Sequence, residues 1–160
     1  METNEASNWG ETAMDFSDID TVITALYTAI SGPPGGQDWE LEKQIYHPDA
    51  RLVRTRVAED GTPILFSFDI DGFREATIPL LEGRHFYEIE TNRKLFRFGN
   101  VAQAFSEYEA RDAAEGGNLL FRGMNMIHLF WDGARWWIMH IIWDNEREGV
   151  TLPDAGWYRD

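Results

Sequence analysis

The sequence predicts an α+β fold in which helices come early and antiparallel strands come late. In the first half of the chain, apolar residues recur three and four positions apart, which is typical of an amphipathic helix. From Arg84 onward, apolar and polar residues mostly alternate, which is typical of strands. Short turns containing Gly, Asn or Asp separate these alternating segments and favour antiparallel pairing.

Two helices are predicted before residue 50. The first begins near Ser17, a suitable N-cap, and ends at the Gly- and Pro-rich run 32–36. The second begins at Asp38 and ends before Pro48, because a residue that precedes proline avoids the α region. A hairpin with an Asp-Gly turn follows, formed by 51–57 and 64–69.

A third helix is predicted over 71–81, with Asp71 or Gly72 as its cap. Pro79 is expected to kink this helix or to end it early, because proline removes a backbone donor. The rest of the domain is predicted to be strand, at 85–94, 101–111, 119–131 and 135–144.

Composition excludes several classes of function. The 160 residues include 14 Lys and Arg against 28 Asp and Glu, which gives a net charge of −14. Such a chain is a poor match for nucleic acid or for an anionic membrane surface. The absence of cysteine excludes disulfides, thiolate nucleophiles and Cys-ligated metals. We expect the acidic surplus to lie on the surface.

The predicted organisation is a flexible acidic leader over 1–16, one domain over 17–146 and a C-terminal tail over 147–160. The leader lacks the basic start and apolar run of a secretory signal, so we expect a cytoplasmic protein. No segment approaches the roughly 20 apolar residues that span a bilayer.

The last two strands are apolar on both faces, which predicts a homodimer. A sheet in a monomer commonly leaves one face to water, and the early helices can cover only one face. The second face is therefore expected to meet another subunit. Alternation divides the last strand into one set with Trp137, Met139, Ile141 and Trp143, and another with Trp136, Ile138, His140 and Ile142.

The order helix, helix, hairpin, helix and long strands resembles the nuclear transport factor 2-like superfamily, also called SnoaL-like. The resemblance covers about residues 17–146. The segments that carry it are Asp38-Trp39, Ile45-Tyr46-His47-Pro48-Asp49-Ala50, Asp71-Gly72-Phe73-Arg74-Glu75, Gly99-Asn100-Val101-Ala102 and Asp132-Gly133-Ala134-Arg135-Trp136-Trp137-Ile138. The resemblance implies a curved, cone-shaped antiparallel sheet of about six strands, with three helices packed on its concave face. It also implies an interior pocket and common dimerisation.

The same resemblance points to candidate catalytic residues. Arg84-His85-Phe86 is similar to the catalytic-histidine strand of scytalone dehydratase, so His85 is a candidate acid and base. The base position of ketosteroid isomerase falls on Arg54, which stays protonated and cannot act as a base. Its acid-donor position falls on Met126, which has no proton to donate. Tyr27 matches the tyrosine of that enzyme's oxyanion hole.

Arg54 and Arg56 share one face of the first predicted strand and could form an anion clamp or a salt bridge at the sheet edge. The predicted catalytic set is therefore His85, Arg54 and Tyr27. The predicted pocket lining is Trp39, Tyr46, Phe66, Tyr108, Met126, His128, Phe130, Met139 and Trp143. The four histidines lack metal-ligand spacing, so neither a metal nor another cofactor is predicted.

Three function classes follow from these residues. The first is a cofactor-free lyase, isomerase or cyclase acting on a small aromatic or polyketide-like substrate, which Arg54 would allow to be anionic. The second is a binding or interaction module without chemistry, because Arg54 and Met126 replace known catalytic residue types. The third is the small structural subunit of an oxygenase.

Overall fold

The computed structural model describes residues 14–159 and contains three α-helices, six strands and one 3₁₀ helix. Most of the predicted leader therefore lies outside the described residues. In chain order the elements are α1 (Ile19–Ile30), α2 (Trp39–Ile45), β1 (Tyr46–Val57), β2 (Pro63–Phe68), α3 (Ile70–Leu81), β3 (Tyr87–Phe98), β4 (Val101–Arg111), β5 (Leu119–Trp131), β6 (Trp136–Asn145) and the 3₁₀ helix η1 (Ala155–Tyr158).

An aspartate caps the N-terminus of each α-helix by accepting a hydrogen bond from a backbone N–H two or three residues later. Asp38 caps α2 as predicted. Asp18 rather than Ser17 caps α1, and Asp69 caps α3 ahead of the predicted start. The third helix still reaches Leu81, so proline does not end it early.

The six strands form one curved, unclosed sheet, which confirms the predicted α+β architecture. The strand order is β2-β1-β6-β5-β4-β3. Four of the five pairings are antiparallel, but β1 runs parallel to β6, so the sheet is mixed rather than wholly antiparallel. Between β1 and β6 the chain forms β2, α3 and three further strands. A connection of that length permits parallel pairing of β1 with β6.

One side of the sheet, here called the inner face, packs against the helices. Its centre is formed by residues such as Ala104, Tyr108, Ile127 and Leu129, all almost fully buried. They belong to one apolar cluster with the buried face of α1, including Val22 and other residues of that helix. The opposite side, here called the outer face, carries many partly exposed side chains.

A β-bulge in β6 changes which residues reach each face. His140 pairs with His128 and Ile138 pairs with Leu129, so Met139 is an extra residue without a partner on β5. Simple alternation, which grouped Met139 with Ile141, is therefore wrong across the bulge. The inner set is Trp136, Ile138, Ile141 and Trp143, and the outer set is Trp137, His140 and Ile142.

Residues after β6 fold back over the outer face. The ring of Trp157 lies 5.3 Å from that of Phe105 on β4 in an edge-on arrangement. Tyr158 donates its hydroxyl proton to Oε2 of Glu107 over 2.6 Å. This region therefore carries a short 3₁₀ helix and specific contacts to β4. None of the helices described is both long enough and apolar enough to cross a membrane.

Candidate active site

Two carboxyl groups lie on the inner side of the fold. Glu42 lies on α2 between Leu41 and Ile45, on the buried face of that helix, and is 3% exposed. Glu88 pairs with the buried Ala110 and therefore points toward the inner face of the sheet. Neither carboxyl group has a hydrogen-bond partner among residues 14–159.

Burial alters the acidity of both groups. It raises the pKa of Glu42 to about 8, with a further contribution from Glu88 and a partial offset from Arg74. Burial likewise raises the pKa of Glu88 to about 7. Near neutral pH, each group can therefore exchange between its protonated and ionised forms, as general acid–base catalysis requires.

Three tyrosines surround these carboxyl groups. Burial, followed by the charges of Glu42 and Glu88, raises the pKa of Tyr46. Burial is also the main cause of the raised pKa values of Tyr27 and Tyr108, to which Glu88 adds. All three hydroxyl groups are therefore neutral near pH 7 and keep their protons.

The tyrosines differ in their hydrogen bonding. The Tyr27 hydroxyl lies 2.6 Å from Oγ of Ser106 and accepts a hydrogen bond from Nδ2 of Asn125 over 3.1 Å. The Tyr108 hydroxyl donates to Oδ1 of Asn145 over 2.6 Å. Tyr46 is 3% exposed, and its hydroxyl has no hydrogen-bond partner within residues 14–159. That hydroxyl is free to form a hydrogen bond with a ligand.

A cleft of about 330 Å³ between α1 and β3 adjoins this group. The two carboxyl groups and the three tyrosines are here called the cluster. Tyr27 and Glu88 of the cluster also line the cleft. Ser31 fixes one side by donating its hydroxyl proton to the carbonyl of Tyr27 and accepting from the amide of Glu88. The cleft is lined by Thr24, Tyr27, Thr28, Ser31, Tyr87, Glu88, Ile89, Glu90 and Ala114.

The predicted catalytic residues do not converge. Tyr27 lies in the cluster, whereas His85 is exposed in the connection between α3 and β3 and does not line the cleft. Arg54 lies on the inner face of β1, where Nη2 donates to Oγ1 of Thr77 over 3.1 Å. No group of three or more His, Asp or Glu side chains able to hold a metal occurs within residues 14–159.

The predicted pocket residues fall on both sides of the sheet. Tyr46 and Tyr108 are in the core, Trp39 and Trp143 pack against it, and Phe66 lies at the edge strand β2. The remaining four, Met126, His128, Phe130 and Met139, lie on the outer face rather than in the interior, where the sequence prediction placed them. Their inward neighbours Asn125, Ile127 and Leu129 fill the inner positions, which sends the alternate residues outward.

Sequence reasoning missed the two glutamates, because the acidic surplus was expected mainly on the surface. A signal was present for Glu42, because it stands next to Leu41 and three residues before Ile45, and this spacing places the three residues on one side of a helix. For Glu88 the signal was weaker, because its inward position depends on the strand register.

No protein-family model matches the sequence, and no curated protein matches it. Solved structures do match. A protein with a cystatin-like fold from Nostoc punctiforme is 14% identical, with 89% of this chain and 96% of that chain covered at a TM-score of 0.64. An NTF2-like protein of unknown function from Shewanella baltica is also 14% identical, with 86% and 99% covered and a TM-score of 0.55.

The chain has the nuclear transport factor 2-like fold. A third match is the CaMKII hub of S. rosetta, which is 13% identical, with 86% of this chain and 99% of that chain covered and a TM-score of 0.59. At such identities the nuclear transport factor 2-like fold is what the proteins share, and one fold supports many functions. The function therefore has to be argued from the cluster itself.

Proposed function

We propose that this protein binds a small, mainly apolar molecule between its helices and the inner face, and that Glu88 and Glu42 transfer protons to and from it. The observation that carries the proposal is a pair of carboxyl groups without protein partners, the buried Glu42 and the half-buried Glu88 of the cleft wall, which lie near neutral tyrosine hydroxyls. A buried polar group is costly unless something satisfies it, and a ligand would do so.

The proposed reaction class is proton abstraction next to a carbonyl group, without a cofactor. The ionised carboxylate of Glu88 takes the α-proton, the electrons of the broken C–H bond form the enolate, and the negative charge develops on the carbonyl oxygen. Protonated Glu42 and the hydroxyl of Tyr46 then supply hydrogen bonds to that oxygen. Two carboxyl groups whose acidities differ are a recurring way to obtain both a base and an acid.

Deuterium exchange of 2-tetralone tests this proposal directly. Followed by NMR in D₂O, wild-type protein should accelerate loss of the α-protons above the buffer rate, and Glu88→Gln should remove the acceleration. Glu75→Gln, which removes an equal charge from the exposed side of α3, is the matched control and should behave as wild type.

The pH dependence of the exchange rate adds a second readout. We expect the rate to rise through about pH 7 as Glu88 ionises and to fall above about pH 8 as Glu42 loses its proton. Binding of 2-tetralone without any acceleration would favour a non-catalytic binding module. Equal acceleration by wild type and Glu88→Gln would exclude Glu88 as the base.

We also propose that the protein forms a homodimer through the outer face. A groove of about 950 Å³ on this face is walled by apolar side chains, including Phe96, Phe130 and Met139, and contains no acidic residue. Phe98 at its margin is 87% exposed. The similarity to a CaMKII hub supports self-association in this fold. The molar mass in solution tests the proposal, and a monomer at high concentration would contradict it.

A further inference from the structure

Two histidines lie side by side on the outer face of the sheet. His128 on β5 pairs directly with His140 on β6, and the centres of the two rings are 5.7 Å apart. Directly paired residues of neighbouring strands carry their side chains on the same face, close enough to interact. His128 is exposed and His140 is partly exposed, so an ion from solvent can reach the pair.

The β-bulge at Met139 is what brings the two imidazoles together. Leu129 pairs with Ile138 and His128 pairs with His140, which leaves Met139 without a partner on β5. In a regular ladder Met139 would pair with His128, and His140 would then turn toward the inner face. Bulges are frequent next to functional sites, where they redirect a side chain.

His140 has a ring nitrogen without a protein partner. Its Nδ1 is buried and forms no hydrogen bond with any residue in 14–159. Burial lowers the pKa of His140, and a charge on His128 lowers it further. His140 is therefore neutral near pH 7, which is the form of imidazole that coordinates metal ions. A cation bound by Nδ1 would satisfy this nitrogen.

The neighbouring side chains leave the pair available to an external cation. Neither imidazole is within ion-pair distance of a carboxylate in the described part of the chain. Arg51 pairs with His140 from the other side, but its Nε donates to Oγ of Ser67, which holds the side chain at β2. The pair therefore offers nitrogen ligands rather than carboxylate oxygens. Such ligands suit Zn²⁺ and Cu²⁺ better than Mg²⁺ or Ca²⁺.

The spacing of the rings fits a shared metal ion. Imidazole nitrogens bind Zn²⁺ at about 2.0–2.1 Å in tetrahedral geometry, so two of them on one ion lie about 3.3 Å apart. Rotation of the two side chains can bring one nitrogen of each ring to about that separation, because the ring centres are already 5.7 Å apart. We propose that His128 and His140 bind a divalent transition cation of the Zn²⁺ or Cu²⁺ type, with water in the remaining coordination positions.

One chain supplies both ligands, so this site depends neither on Glu42 and Glu88 nor on the proposed dimer. A Phe98→Ser variant separates the site from the dimer, because it removes an 87% exposed apolar side chain from the outer face and leaves both histidines in place. Its affinity for Zn²⁺ should equal that of wild type. Loss of binding in this variant would mean that two chains are needed and would overturn the proposal.

Isothermal titration of the full chain with ZnCl₂ tests the choice of metal. Wild type should bind about one Zn²⁺ per chain, whereas MgCl₂ should give no binding heat, because Mg²⁺ prefers oxygen ligands. In the Cu²⁺-loaded protein, electron paramagnetic resonance should show coupling of the metal to two nitrogen nuclei. Equal binding of Mg²⁺ and Zn²⁺ would assign the heat to the acidic surface and would overturn the proposal.

Variants locate the site. His128→Asn and His140→Asn should each weaken Zn²⁺ binding by about tenfold or more, since loss of even a supporting residue costs metal affinity of that order. The exposed position of His128 keeps the test valid if His140→Asn fails to fold. His85→Asn is the matched control, because His85 is exposed in the connection between α3 and β3. Binding that survives both variants, or that is lost equally in the control, would contradict this site.

Discussion

Burial of Glu42 destabilises the folded protein by an amount that depends on pH. Its pKa is about 8 in the folded protein, against an ordinary value of 4.5. The folded state therefore binds more protons than the unfolded state between these values, and stability falls as the pH rises through about 8. Glu42→Gln removes this loss. Between pH 5 and pH 9, wild type should lose on the order of 3 kcal/mol more stability than the variant.

Urea unfolding at the two pH values measures this difference. Glu40→Gln on the same helix is the control, because the Glu40 side chain is 82% exposed. Parallel pH dependence of wild type and Glu42→Gln would show that the buried carboxyl group is not the source of the effect.

Single residues also show what the sequence can predict. Asp38 was recognisable as a helix cap, because an aspartate before an apolar helical pattern has a local physical reason. The helical spacing of Glu42 beside Leu41 and Ile45 signals burial, but its role in a site was not recognisable, because its carboxyl partner Glu88 lies on β3, which is distant in sequence. His85 was chosen from a resemblance, and the exposed connection that carries it does not line the cleft.

At the level of elements, β4 and β5 were predicted with their observed bounds, 101–111 and 119–131, because strong alternation and clear turns define them. The faces of β6 were harder to predict. Met139 forms a bulge, and one inserted residue reverses the inward and outward positions on one side of it. The parallel pairing of β1 with β6 was likewise beyond local sequence patterns, because it is a contact between distant segments.

Gly123 on β5 pairs with Tyr108 of β4 on one side and with Asn145 of β6 on the other. A Cβ atom at this position would lie 2.6 Å from the carbonyl oxygen of Asp144 and would also meet the hydroxyl of Tyr108 and Oδ1 of Asn145. The backbone oxygen cannot move without disturbing β6. We therefore expect Gly123→Ala to destabilise the protein by about 1–3 kcal/mol, in the range of overpacked cores.

Thermal or urea unfolding measures this loss, and Gly156→Ala is the matched control. Gly156 lies in η1, and a Cβ atom there would meet no other atom within 4 Å. Unchanged stability of Gly123→Ala would mean that β5 and β6 can move apart with little loss of free energy of unfolding. In that case the Tyr108–Asn145 hydrogen bond would not hold β4 and β6 in fixed positions.

For the whole molecule, the net charge of −14 restricts where two copies can meet. Like charges repel over a distance that grows from about 8 Å in physiological salt to about 30 Å in 10 mM salt. The groove around His128 and Phe130 contains no acidic side chain, so it is a surface where two copies can approach with little local repulsion. The remaining repulsion comes from the rest of each molecule.

The proposed dimer should therefore strengthen with salt. Sedimentation equilibrium is expected to give a dissociation constant that falls severalfold between 10 mM and 300 mM NaCl, because screening reduces repulsion while apolar contacts remain. Phe98→Ser should convert the protein to monomer, whereas Leu65→Ser, which removes a 63% exposed side chain outside the groove, should not. An interface built on ion pairs would weaken with salt instead. Such weakening, or a dimer that tolerates Phe98→Ser, would place the contact on a different face.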